Sequence, residues 1–263
     1  MSKLTDKLEK VGQQTAAAFG FGAAMKKGVT NPAILAFGKI SPSDAGKKSL
    51  DGAVDAVVVS LDKWSDDTVK KTGEALKGAL WGVRTQSVSE DQMKKLRDAG
   101  CDFAVLDIGD TPSAVLNNEE FGVFLALGPA LEEESARAIH ELPMDGVFFQ
   151  PKTSLFPITM ESLFELLKVR SFIDKYLILE TPAAIAKSDL ETLRNVGVVG
   201  IVADGHAKGD LEATRKAIAE LPKPKQKKDR AMALLPPQAQ AEHVHEHDDD
   251  DDDGYDDDDG DDY

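Results

Sequence analysis

Eight short apolar runs, each followed by a polar stretch of helical character, constrain this chain more than any other feature. The runs are Ala33–Gly38, Ala53–Ser60, Leu80–Arg84, Phe103–Ile108, Gly122–Leu127, Gly146–Gln150, Tyr176–Glu180 and Val199–Ala203. They are rich in Val, Ile, Leu and Phe and nearly continuous in apolar character. That pattern suits parallel strands buried on both faces, whereas a half-exposed strand alternates. The segments between them carry helix signals. Ser65 precedes Asp66 and Asp67, and Ser89 precedes Glu90 and Asp91, so each is an N-cap serine followed by first-turn acids. Met93, Leu96 and Ala99 keep helical spacing until Gly100 stops the helix. Leu131–Leu142, Thr159–Asp174, Ser188–Val196 and Asp210–Leu221 read as helices, and Thr111–Asn118 as a short one with Pro112 in its first turn.

The turns that lead into alternate strands echo one another. Gly52-Ala-Val-Asp55, Gly100-Cys-Asp102 and Pro143-Met-Asp145 each end a helix, turn tightly and start an apolar run. Gly197-Val-Val199 does the same without the acid. The intervals of 47, 43 and 54 residues correspond to two strand–helix units each. This self-similarity fits one closed structure in which alternate strands hold related places.

Eight such units between Pro32 and Pro222, with these turns, resemble the compact (β/α)8 barrel, an α/β fold. The resemblance is one of fold and implies no particular enzyme family. The competing arrangement is an open, doubly wound sheet, but no Gly-x-Gly-x-x-Gly follows an early strand. Four regions follow: residues 1–31 as an N-terminal helix and loop, 32–222 as the barrel, 223–239 as a basic, proline-containing linker, and 240–263 as a His/Asp-rich tail. In the first, Leu4, Leu8 and Val11 share one face of an amphipathic helix expected to lie across an end of the barrel.

The net charge of −16 is misleading, because 12 Asp and 2 Glu lie between Gln240 and Tyr263 with no Lys or Arg. The rest of the chain is near neutral, which argues against nucleic-acid binding. The run of like charge predicts a disordered, acidic C-terminal tail, with a basic protein as a possible partner. His243, His245 and His247 beside these acids form a weak candidate metal site. Between Lys223 and Arg230 five basic residues accompany one acid. The single cysteine, Cys101, excludes an intramolecular disulfide and a multi-cysteine zinc site, and reads as a small buried residue at the base of a strand. The first residues lack a secretory pattern, and Val11–Met25 is too short and too interrupted to span a bilayer. A soluble, cytoplasmic protein is expected.

In this fold the active site lies at the C-terminal ends of the strands. Lys39, Asp62, Arg84, Asp107, Lys152, Glu180, Asp204 and His206 all fall there. Asp107 and Glu180 end apolar runs directly and are candidates for acid, base or divalent-metal ligand. Arg84 and Lys39 are candidates for holding an anion. Lys152, desolvated, is a candidate for a Schiff base. Asp204, Gly205, His206 and Lys208 lead into the last helix and form a candidate phosphate cradle, with Asp210 expected to cap that helix. The single-histidine alternatives read as surface, with His140 on a helix exterior. The chain lacks a Walker-type loop, a Gly-x-Ser-x-Gly elbow, His-Glu-x-x-His and Cys-x-x-Cys. The expectation is a lyase or isomerase that uses acid–base chemistry on a small anionic metabolite, phosphorylated ones included. No cofactor beyond a possible divalent metal is implied. The alternative is a non-catalytic barrel whose acidic tail engages a partner.

Overall fold

The strands pair in chain order, all parallel, and β1 closes on β8 to complete an eight-stranded barrel. This computed structural model describes residues 2–15, 32–46, 50, 52–109, 111–118, 120–129, 132–151 and 155–222. The proposed linker and tail, including His243, His245 and His247, lie outside the described residues, as does Lys152. The strands are β1 Leu35–Ile40, β2 Ala56–Ser60, β3 Trp81–Thr85, β4 Phe103–Leu106, β5 Gly122–Leu127, β6 Gly146–Phe149, β7 Tyr176–Glu180 and β8 Val198–Asp204. The helices are α1 Lys3–Thr15, α2 Asp66–Ala75, α3 Glu90–Asp98, α4 Glu133–Glu141, α5 Met160–Phe172, α6 Lys187–Asn195 and α7 Lys208–Ala219. Among the described residues, the β1–β2 and β4–β5 connections carry only short 3-10 turns, Pro42–Asp44 and Ser113–Asn117. No described helix is long and apolar enough to cross a membrane.

The helix starts obey the local chemistry of the sequence. Ser65 accepts the Thr68 N–H, and Ser89 forms a full capping box with Gln92. Gly100 ends α3 with φ 83°, a left-handed conformation that costs glycine nothing. Asp210 does not cap α7. Ala207 holds the N-cap position, and Asp210 sits in the first turn, where an acid still complements the helix dipole.

Side chains alternate between the barrel interior and the helix layer. Trp81, Val83, Ala104 and Leu106 pack outward under the helices, whereas Phe37, Val58, Phe103, Val105, Phe124, Phe148, Ile178 and Val202 fill the interior. Four phenylalanines meet there. Phe124 and Phe148 pack edge to face at 5.5 Å, Phe37 and Phe148 at 5.7 Å, and Phe103 and Phe124 at 5.9 Å. Rings of this size fit because facing positions are glycine. A Cβ on Gly82 would lie 2.4 Å from the Phe103 ring, and one on Gly200 2.7 Å from Phe37.

The N-terminal end of the barrel is sealed by α1. Leu4, Leu8 and Val11 are fully buried against the interior residues, as the amphipathic pattern predicts. The echoed acids explain how the helix is held. Asp102 accepts the Ser2 hydroxyl (2.6 Å) and the N–H groups of Lys3 and Leu4 (both 2.9 Å). Asp145 accepts the Thr5 hydroxyl at 3.3 Å and the Val123 N–H at 2.8 Å. Asp55 accepts the Ala36 N–H at 3.0 Å and pairs with Arg215 at 3.1 Å. All three therefore tie backbone and helix at the closed end and are structural.

Six of the eight strands differ in their bounds from the sequence expectation: β3, β6 and β8 by one residue at one or both ends, and β1, β2 and β4 by more, for physical reasons. Ala53–Asp55 turn instead of extending, because Asp55 folds back on Ala36 through both its N–H and its carboxylate. β1 runs two residues further than Gly38, because Lys39 and Ile40 still pair with β2 and Lys39 also pairs with β8. β4 stops at Leu106, so Asp107 follows the strand instead of lying within it.

Candidate active site at the barrel mouth

The interior can be followed layer by layer towards the C-terminal ends of the strands. Val58, Val105, Phe148 and Val202, one from each even-numbered strand, form an apolar layer. One step further out, the odd-numbered strands contribute Lys39, Arg84, Ala126 and Glu180. Three of those four are charged. The Lys39 ammonium contacts Glu180 Oε1, and Arg84 Nη1 lies 3.5 Å from Glu180 Oε2. Arg84 Nη2 reaches Gln150 Oε1, also at 3.5 Å. The three side chains are only partly exposed, between 21% and 36%. One carboxylate is thus shared by two cations, from β1 and β3, across the mouth of the barrel.

A cavity of about 490 Å³ opens beside this network. Lys39, Ser60, Asp62, Glu180, Thr181, Asp204 and His206 line it, together with the segment Ile40–Pro42 that follows β1. Its lip is held by Asp44, whose Oδ2 accepts the Ser41 hydroxyl and lies 3.4 Å from His206 Nε2. Ser41 and Asp44 were not anticipated. The available signal was the polar run Ser41-Pro-Ser-Asp44 placed directly after a strand whose last residues are Lys39 and Ile40.

The structure therefore brings Lys39, Arg84 and Glu180 into contact and places Asp62, Asp204 and His206 around the same cavity. Asp107 stands apart. It is half-buried, its carbonyl accepts the Thr111 hydroxyl at 3.1 Å, and its carboxylate joins neither the Lys39–Glu180–Arg84 network nor the cavity lining. Among the described residues no three His, Cys, Asp or Glu side chains are grouped to hold a metal ion. Both oxygens of Glu180 already face cations.

The loop after β8 uses its own N–H groups. Gly205 donates to the Lys39 carbonyl at 2.8 Å, His206 to Asp204 Oδ1 at 3.0 Å, and Ala207 to the Asp204 carbonyl at 3.2 Å. None of these three is left to cradle a phosphate, and Lys208 pairs with Glu212 at 3.7 Å. Gly205 serves closure: a Cβ there would lie 2.5 Å from Ile40. Elsewhere, Cys101 is buried with its thiol on the Phe103 carbonyl at 3.3 Å, and burial pushes its ionisation well above the ordinary thiol range. His140 is exposed and lies 3.0 Å from Asp174.

The fold and the position of this cavity define a (β/α)8 barrel with a polar C-terminal mouth. Solved structures agree on the architecture. The chain is similar to a mutant tryptophan synthase alpha-subunit from Pyrococcus furiosus, with a TM-score of 0.52 at 11% identity over 71% of this chain and 97% of that one. Thiamine phosphate pyrophosphorylase from the same organism gives 0.52 at 15% identity over 71% and 96%. Mycobacterium tuberculosis tryptophan synthase gives 0.58 at 12% over 85% and 99%. No protein-family model and no curated protein sequence matches the chain. At these identities the likeness is one of fold.

Proposed function

We propose that this chain is a cytoplasmic barrel enzyme of the lyase or isomerase class, acting on a small anionic metabolite by acid–base chemistry. One observation carries the reading: three of the four side chains in an interior layer are charged and converge beside an open cavity. Interior layers of such barrels are ordinarily filled by branched apolar residues, and partly burying charge is costly unless it is paired. A binding site accounts for that cost. Two cations share one carboxylate, so the layer carries a surplus positive charge. The acids Asp62 and Asp204 are exposed further out, where water screens them.

In this reading Arg84 and Lys39 hold the substrate's carboxylate or phosphate, and the anion competes with Glu180 for them. Glu180, released in part from its cations, then accepts or delivers a proton on the substrate. His206, held at the lip by Asp44, is the second group able to exchange a proton with a molecule in the cavity. The name of one structural neighbour carries a phosphate ester, which places phosphorylated compounds high in a screen.

The test is a thermal-shift screen of the full chain against carboxylated and phosphorylated metabolites. A ligand at 100 times its Kd stabilises by about 2.7 kcal/mol, a rise of roughly 5–11 °C for a barrel of this size. The rise should vanish in Arg84→Met and shrink in Lys39→Met. A folded protein that no anion stabilises would overturn the reading. Removing residues 240–263 should leave the ligand affinity unchanged. A loss would favour the non-catalytic alternative, in which the acidic segment engages a partner.

A further inference from the structure

The outer face of α5 is apolar where a barrel helix is expected to be polar. Met160, Phe164 and Leu167 are 70%, 68% and 44% exposed, and no other large apolar side chain on a described helix is exposed. They are spaced i, i+4 and i+7, so they form one stripe along the helix. The opposite side of α5 already serves the core through Leu166 and Val169. Among the described residues nothing covers the stripe, and exposed apolar surface of this kind costs solubility.

We propose that this stripe is a self-association surface, on which α5 of a second copy packs antiparallel about a two-fold axis centred on Phe164. The sequence of the helix supports this partner in three ways that agree on one register to within one residue, about 1.5 Å of helix rise. An antiparallel two-fold through Phe164 sets Phe164 against its own copy. It sets Met160 against the second copy's Leu167. It also sets Glu161 opposite the second copy's Lys168, and both are exposed on the same flank of the stripe. Neither Glu161 nor Lys168 has an ion-pair partner among the described residues. A two-fold interface must be complementary to itself, and this face is, in shape class and in charge. A parallel two-fold would carry Glu161 and Lys168 of the second copy to the opposite flank of the stripe, so these charges would not meet. The patch is small, so the dimer is a weak, concentration-dependent one. The proposal is independent of the reading of the barrel mouth.

The test is sedimentation velocity on the full chain across a wide range of concentrations at physiological ionic strength. The natural chain should pass from monomer to dimer. Phe164→Glu should weaken association by more than about thirtyfold, because the substitution falls at the centre of the interface in both copies. Glu161→Lys and Lys168→Glu should each fail to self-associate, yet associate when mixed in equal amounts, since mixing restores both opposite-charge pairs. In Phe164→Cys, mild oxidation should link two copies through residue 164, and buried Cys101 does not compete. A chain that stays monomeric throughout, a dimer that survives Phe164→Glu, or charge variants that do not rescue one another would each overturn the proposal.

Discussion

Asp102 is the residue whose loss best tests how the closed end of the barrel is held. Its carboxylate takes three donors: the Ser2 hydroxyl at 2.6 Å and the N–H groups of Lys3 and Leu4 at 2.9 Å. Asp102→Ala removes an acid from the N-terminus of α1, worth about 0.5–2 kcal/mol as a cap. It also strands the Ser2 hydroxyl, which is 3% exposed, and an unmet buried donor costs about 1–3 kcal/mol. Leu4 N–H is less affected, because it also reaches Ser2 Oγ at 3.1 Å. The expected loss is about 3 kcal/mol, or roughly 6–12 °C in Tm for a domain of this size. The assay is thermal and urea unfolding of four proteins: the natural chain, Asp102→Ala, Ser2→Ala and the double variant. Ser2 and Asp102 share one hydrogen bond and the Leu4 N–H, and Ser2 Oγ also accepts the Thr5 N–H at 3.3 Å, so the double variant should depart from the sum of the two single losses by more than about 0.5 kcal/mol. Strictly additive losses, or a shift below about 1 °C in Asp102→Ala, would refute the argument.

Three further outcomes are expected. Gly82→Ala should cost about 1–3 kcal/mol by overpacking Phe103, and Phe103→Leu in the same chain should recover part of it in urea unfolding. The Cys101 thiol should resist alkylation at mildly alkaline pH until the chain unfolds. With its pKa raised by burial, its contribution to stability is complete below the ordinary thiol value and declines as pH rises above it, which alkaline unfolding curves will show. Asp66 is held below the usual carboxylate range by Lys95 at 2.5 Å and by the Trp64 indole at 2.7 Å. Its contribution is present above the ordinary carboxylate value and fades as pH falls through the lowered one, so Lys95→Met should flatten that part of the acid limb.

Much of the architecture was legible because the strands of a parallel barrel are buried on both sides. β5 and β7 were read with their observed bounds, Gly122–Leu127 and Tyr176–Glu180, from apolar runs bounded by polar residues. The apolar run Ala33–Gly38 stops short of the end of β1 because the charge of Lys39 breaks it, although a barrel strand that reaches a polar mouth turns a charge inward while still pairing. The residues of the candidate site were legible one at a time from the rule that the mouth lies at strand ends. Their grouping was not. Whether Glu180 meets Arg84 or Asp107 depends on the stagger between strands, which local patterns do not carry. Asp55, Asp102 and Asp145 were visible as a repeat, but their distant partners, Arg215 for Asp55 and α1 for the other two, lie up to 160 residues away.

The cavity straddles the seam where β1 meets β8, and this ties the site to the longest-range contact in the barrel. Lys39 pairs with Asp204 across that seam, and Gly205 is bonded to Lys39. Bringing those segments together closes a loop of some 160 residues, an entropic cost met only when the whole ring is in place. A chain still being synthesised thus holds Lys39 and Arg84 long before it holds a finished cavity. The wall supplied by β8 and His206 arrives last. Whatever enters the mouth meets a complete barrel or no site at all, and its binding would act as a clasp on the ring's final joint.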